Sequence, residues 1–398
     1  MTSPSVQRPY RLEAIDALRG LVIVIMAIDH VRDYMVANAQ PDPLTDPNIA
    51  AAMFFTRWIT HYCAPVFVTL AGVSAGLMTA RKSRSELRLF LLTRGLWLVF
   101  VEFAIVSTAW TFAPRGIAEL GGRTAITLQV IWAIGLSMIA LAAFQALGRR
   151  VCLAVGIAVL AAHNLLDAFW PITALLDTKW PVWVALHAQM AVPAGPFLFV
   201  NVYPFPVWIG VILLGFGASG VFELPEEQRR ALLIRAGVLI TSGFVVLRAL
   251  DAYGDPNHWQ VQTRGIVATA IDFLDTTKYP PSLQFLMMTL GPSAVVCAFA
   301  DRVPGGIRRV LVTFGRVPFA FYVAHLYLIH SISVILGIAQ GFRARQMFTL
   351  FFLFPKGYGL PLPGVYAAWA LVVALLYPLC RSMAEVKSRR RDWWLSYL

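Results

Sequence analysis

Apolar runs divide this sequence, each long enough to cross roughly 30 Å of hydrocarbon as a helix, and short basic clusters separate them. They lie near 15–36, 59–80, 89–112, 124–147, 151–169, 198–219, 231–250, 282–301, 309–338 and 364–384. Only 14% of the 398 residues are charged, whereas a soluble chain carries about 25%. A larger core cannot hide that deficit, because cores stop growing at about 250–300 residues. The expected fold is all-α: a polytopic transmembrane helix bundle of about ten spans, a single domain over 1–398, with the lipid bilayer as its solvent. Disorder, a collagen-like chain and a secreted disulfide scaffold are excluded. The stretch 346–354 is too short to span and is expected to be interfacial or re-entrant.

The net charge of +12 is not read as a nucleic-acid signature, because its distribution follows the positive-inside pattern. With the N-terminus inside, 21 of the 33 Lys and Arg residues fall in inner segments, eleven in outer ones, and Arg316 within a span. Both termini are therefore expected in the cytoplasm, and an even number of spans agrees. The first apolar run is interrupted by Asp16, Arg19, Asp29 and His30, unlike the clean core of a cleaved signal. Cys63, Cys152, Cys297 and Cys380 are far apart and are expected to be small core residues. No Cys/His cluster or His-x-x-x-His occurs, so no metal is expected. Two outer segments are long, 170–197 and 251–281. Trp170, Trp180 and Trp183 in the first form either an interfacial belt or a stacking platform for a sugar ring.

Ionisable groups inside a span are costly, about 2.5–3.5 kcal/mol for a central Arg or Asp, and the first run holds several. At 100° per residue, Asp16, Arg19, Ile23, Met26, His30 and Asp33 share one face. Arg19 and His30 are separated by a rise of roughly 16 Å, so the stripe runs from near the inner interface toward the outer one. Asp33 is one turn beyond His30 and can hold its imidazole; Asp29 and Arg32 form a neighbouring pair. His61 opens the second run, level with His30. In the ninth run His325 shares a face with Tyr322, whereas His330 is expected at the interface. His163, His187 and His258 show no partner pattern. Two serine motifs, Gly72-Val-Ser74-Ala-Gly76 and Gly217-Ala-Ser219-Gly220, lie at helical positions where small residues serve packing rather than nucleophilic catalysis.

Three stretches together resemble a known family. They are Arg11-Leu-Glu-Ala-Ile-Asp16-Ala-Leu-Arg19-Gly20 with Met26-Ala-Ile-Asp29-His30; Ala64-Pro65-Val-Phe67 with Leu70-Ala-Gly72-Val-Ser74; and Phe314-Gly315-Arg316-Val-Pro318 with Tyr322 and His325. They are similar to the heparan-alpha-glucosaminide N-acetyltransferase-like bacterial membrane proteins. Arg19 and His30 also have the spacing known from helix one of the wider transmembrane acyltransferase superfamily. The resemblance implies transfer of an acyl group, acetyl in the named enzyme, from cytoplasmic acyl-CoA to a glycan amine or hydroxyl or other small acceptor at the outer face. It implies the inner membrane of a bacterium.

On that reading Arg81, Arg88, Arg94 and Arg316 would hold the CoA phosphates. Arg19, Tyr322 and His325 would line the substrate site. His30 would be the general base, oriented by Asp33 or Asp29. In the lysosomal relative the position of His30 is an asparagine and the catalytic histidine lies before helix two. Residues 31–60 here hold no histidine, so His61 is the alternative base, or the carrier of an acyl group. A proton-coupled secondary transporter is the alternative reading of the same helix-one charges. Nothing in the sequence fixes the acceptor or the oligomeric state.

Overall fold

The first helix, α1 (Glu13–Met35), packs against helices from both ends of the chain. The computed structural model describes residues 13–39, 44, 46, 49–169, 187–390 and 392–397. Trp170, Trp180 and Trp183 lie outside these residues, as do Arg8, Arg11, Lys179 and Arg391. After α1 come α2 (Ala51–Thr60), α3 (Cys63–Met78), α4 (Arg84–Val101), β1 (Thr124–Leu128), α5 (Val130–Phe144) and α6 (Arg149–Ala162). Then follow β2 (Met190–Ala194), β3 (Phe197–Asn201), α7 (Pro206–Ala218), α8 (Glu226–Leu250), α9 (Leu283–Phe299), α10 (Gly305–Arg316), α11 (Pro318–Ala339) and α12 (Leu362–Arg389).

Among the described residues nine helical segments are long and apolar enough to cross a bilayer, and each overlaps one of the nine later apolar runs. The helix α1, with 23 residues, is as long as these and differs by its charges. The all-α polytopic bundle is thus the architecture, and the protein is a multi-pass membrane protein. Residues 346–354 do not cross: they form two single 3₁₀ turns, Ala344–Met347 and Phe351–Leu353.

Four of the runs differ from the sequence reading. The run 309–338 is two helices, because Pro318 has no N–H to continue α10 and Val317 before it takes φ −131°. The runs 124–147 and 198–219 begin as strands rather than helix. There β1 pairs parallel with β3, and β2 pairs antiparallel with β3, in the order β1-β3-β2. The run 59–80 starts earlier, at Ala51, and bends at His61–Tyr62.

Close helix crossings rest on glycine. A Cβ on Gly20 would lie 1.9 Å from the carbonyl oxygen of Leu311, and one on Gly315 would lie 1.8 Å from that of Asp16. Thus α1 and α10 touch backbone to backbone, as small residues allow in membranes. The same holds where Gly72 of α3 meets Ile212 of α7 and Gly76 meets Ser219, so both serine motifs are packing seams.

The segment after α8 is folded, not loose. Arg248 is fully buried and donates to the carbonyls of Asn257, Asp272, Phe273 and Asp275, over the short helix Ile266–Leu274. Asp255 accepts from Asn257 and Thr277 N–H and from the Thr277 and Ser282 hydroxyls. Burial still pushes its carboxyl above the ordinary carboxylate range.

The α1–α10 contact generates a stability prediction. Gly315→Val should prevent the helices from closing, and overpacking costs about 1–3 kcal/mol even where backbone can shift. A lower melting temperature and loss of the monodisperse peak in detergent are expected; unchanged melting would show that the crossing is not close.

Candidate active site

The charges of α1 are paired almost completely, and the pairing reaches onto α2. Asp29 accepts from Arg57 Nη1 at 2.6 Å and lies 3.0 Å from Arg32 Nη2, which donates to Asp33 at 2.5 Å. Asp33 Oδ2 then lies 3.8 Å from His30 Nδ1. All four charged residues are buried. The helical spacing that put Asp29, Arg32, His30 and Asp33 within one turn makes the chain possible, and Arg57 closes it. Asp29, expected as a possible partner of His30, is taken by the two arginines; Asp33 is the carboxylate beside His30.

The imidazole of His30 sits against the Trp110 ring, centroids 5.0 Å apart, and against His325 at 5.1 Å. Trp110 is held by its carbonyl, which accepts from the Tyr34 hydroxyl at 2.7 Å. His325 Nδ1 lies 2.5 Å from the Tyr322 carbonyl and 3.1 Å from that of Phe321. Carbonyls only accept, so Nδ1 carries the proton and Nε2 keeps its lone pair, which has no partner among the described residues.

His30 lines a cavity of about 310 Å³ together with Asp29, Arg32, Asp33, Arg57 and Lys278. The sheet roofs it. Thr127 of β1, Val200 of β3 and Ala191 of β2 lie opposite one another in register and all line the cavity. The sheet is tied to the α4 segment where Ser107 Oγ accepts from Thr127 N–H at 3.0 Å. Just before Ser107, that segment takes one π-helical turn, Glu102–Val106. Glu102 is fully buried there and accepts from Trp132 N–H at 2.9 Å.

A second cavity of about 230 Å³ lies on the Arg19 side, and Met26, Phe67, Val130 and Tyr322 line both. Arg19 donates to Ser74 Oγ and the Gly315 carbonyl and is 3.2 Å from Asp16. Arg94 lines the same cavity with its guanidinium 5.5 Å from the Phe319 ring centre. Arg19, Ser74 and Met78 also line a wider cleft of about 920 Å³, whose rim includes Arg81 and Arg229. The cleft and the two cavities follow one another from the Arg81 end to the His30 end.

The structure does not bring every expected residue together. Arg88 is exposed, and Arg316 is half-buried; neither lines these cavities. His61 is 1% exposed and packs on Phe285, with no hydrogen-bond partner among the described residues on either ring nitrogen, outside the cavity lining. His330 is not interfacial: it is fully buried between the Ala109 and Met347 carbonyls and stacks on Phe112 at 3.8 Å. The residues 344–354 that cover it made that burial invisible in the local pattern. His163, His187 and His258 do have partners, in Pro281, Asp167 and Asp251. Sequence reasoning missed Arg57 and Lys278 as site residues. A charge inside an apolar stretch could have flagged Arg57; Lys278, in an outer segment, carried no such signal. The four cysteines are free and buried. Among the described residues no three potential metal ligands converge.

A family model described as heparan-alpha-glucosaminide N-acetyltransferase, catalytic, matches residues 11–247. No curated protein matches the chain significantly.

The buried ion chain generates the second prediction. Arg57→Met strips Asp29 of its shorter contact and should cost about 3–5 kcal/mol, the usual consequence of breaking a buried pair. Adding Asp29→Leu should return part of that loss. Melting curves of the single and double variants check it; additive losses would show that the pair is not coupled.

Proposed function

The chain belongs to the heparan-alpha-glucosaminide N-acetyltransferase catalytic family, and on that premise we propose that it moves acetyl from acetyl-CoA to a glycan amine or hydroxyl on the other side of the membrane. The observation that carries this reading is the meeting of two cavities at Met26, Phe67, Val130 and Tyr322. One holds a histidine and polar groups; the other is apolar and ends in arginines.

In this proposal CoA lies in the Arg81 cleft and the Arg94 cavity, with its phosphates near the rim and its pantetheine arm along apolar walls. Arg81 and Arg94 supply charge there. The thioester reaches the junction. His30 takes a proton from the acceptor hydroxyl or amine as that group attacks the thioester carbonyl, the C–S bond breaks, and the imidazolium returns the proton to sulfur so that CoA leaves as the thiol. Asp33 favours the imidazolium that forms. His325, its Nε2 lone pair open, backs His30 as a neutral partner. His61, buried on Phe285, does not line the cavity and is given no role in this proposal. A proton-coupled transporter would need the α1 charges mobile, and they are locked in pairs.

The segments read as inner hold 21 of the 33 Lys and Arg residues, and this supports a cytoplasmic Arg81 face, both termini inside and the inner membrane of a bacterium. Inside-out vesicles should therefore use added acetyl-CoA and right-side-out vesicles should not. Arg94→Ala should weaken acetyl-CoA binding by on the order of 10-fold or more, one charge-assisted contact. Equal use by both vesicle types, or unchanged affinity, counts against this donor path.

The base is tested separately. His30→Ala should lower acetyl transfer roughly 100-fold or more with acetyl-CoA binding retained, the usual share of a general base. His30→Asn should do the same. Full activity of the Asn variant would reduce His30 to positioning the acceptor; harmless Ala and Asn variants would remove it from the chemistry.

A further inference from the structure

A short helix outside the spans turns its apolar side outward. It lies in the connection between the spans of α8 and α9, runs from Ile266 to Leu274, and has no buried residue. At 100° per residue Phe273, Ile266, Ala270, Leu274, Val267 and Ile271 follow one another around about half of its circumference. Ala268, Asp272 and Thr269 take the rest. In water such a helix would lay the apolar arc on the protein and leave the polar arc free. Here the reverse holds. Ile266 is 85% and Val267 56% exposed, and Val261 just before them is 79% exposed. The polar arc is the one tied down. Asp272 accepts from the Gln260 N–H and from Gln262 Nε2, and Thr269 Oγ1 accepts from the Gln262 N–H.

The orientation is fixed by the last turns of α8. Arg248 donates to the Phe273 and Asp272 carbonyls, and Trp259 Nε1 donates to the Arg248 carbonyl at 2.7 Å. The Phe273 ring meets Trp259 at 5.1 Å and Phe244 of α8 at 6.0 Å. Rolling the apolar arc inward would break these bonds. The neighbours on both sides are surfaces that face lipid. Leu239, Val246 and Leu250 of the α8 span are exposed, and in a multi-pass protein such side chains meet acyl chains. The short helix also packs beside α2, the start of another span, where Phe55 and Ile59 are exposed. The outward arc therefore continues an apolar surface already given to the bilayer.

We propose that the helix Ile266–Leu274 lies in the membrane interface at the C-terminal end of α8, with Val261, Ile266 and Val267 set into the lipid of that leaflet. Amphipathic helices of this kind bury their apolar face roughly 5–10 Å into the boundary between headgroups and acyl chains. The partner of this face is lipid, not water and not a second copy of the chain. The proposal stands independently of acetyl transfer.

The test uses the full chain in phosphatidylcholine vesicles, with an environment-sensitive fluorophore on one added cysteine. The sites are Ile266→Cys and Val267→Cys, with Leu239→Cys as the reference for a lipid-facing span. The four native cysteines are buried, so the unaltered chain gives the labelling background. Each label is challenged with iodide on both sides of the membrane, and separately with a lipid that carries a nitroxide on its acyl chain. At 266 and 267 the nitroxide lipid should remove most of the emission and iodide little, as at 239. Loss to iodide and not to the nitroxide lipid would put the helix in water and overturn the proposal. Loss to neither would reveal a protein cover, such as a second copy, and overturn it as well. A second set asks whether these side chains hold the helix in place. The label of Ala270→Cys should be quenched by the nitroxide lipid, and by iodide instead once Ile266→Asp and Val267→Asp are added, with the melting temperature unchanged. Nitroxide quenching that persists in that triple variant overturns the assignment of Ile266 and Val267 as the anchor.

Discussion

Charges that enter an apolar bundle must be matched there, and this requirement organises the molecule around α1. Asp29, Arg32 and Asp33 are within one turn, too close to be left to solvent and too deep to reach it. Arg57 completes the set from α2, which fixes α2 against α1 and bends the chain at His61–Tyr62. His30 is then the one ionisable group on this part of α1 that no arginine engages. It faces a cavity, with Asp33, Trp110 and His325 around it.

The second organising feature is the absence of side chains at the helix crossings. Gly20 and Gly315 let α1 and α10 touch, and Gly72, Gly76 and Gly215 do the same for α3 and α7. Tight seams on those sides leave the free volume elsewhere, between α1, α3, α4, α5 and α11, where both cavities lie. In lipid, helices gain little from burying apolar surface against one another, so such seams decide where the bundle is solid. The break at Pro318 contributes as well: it starts α11 with Phe319 and Tyr322, which line the Arg94 cavity.

The sheet and the clamp at Arg248 show how the His30 side is closed. Thr127, Val200 and Ala191 come from segments up to 73 residues apart, yet meet in one register above the cavity. Lys278 and Tyr279 come from the segment that Arg248 gathers by its carbonyls. Both devices satisfy backbone groups that would otherwise be unpaired.

Much of this was legible in the order of residues. Hydropathy and the low charge content mark out the apolar spans, because a bilayer rejects alternatives, but not the breaks and strands within them. Helical periodicity places Arg19, His30 and Asp33 on one stripe, and the pairs Asp16–Arg19 and Asp29–Arg32 follow from spacing alone. What the sequence could not decide were relations between distant segments. The second partner of Asp29 is Arg57, 28 positions away, and no local pattern selects Asp29 over Asp33 for that arginine. Tyr322 borders both cavities, while His61, expected level with His30, is buried against Phe285 outside the cavity lining. Lys278 becomes a cavity residue only because a buried arginine folds its segment back. Periodicity tells which face a side chain takes on its own helix; what that face meets depends on packing, and packing is decided by the whole bundle at once.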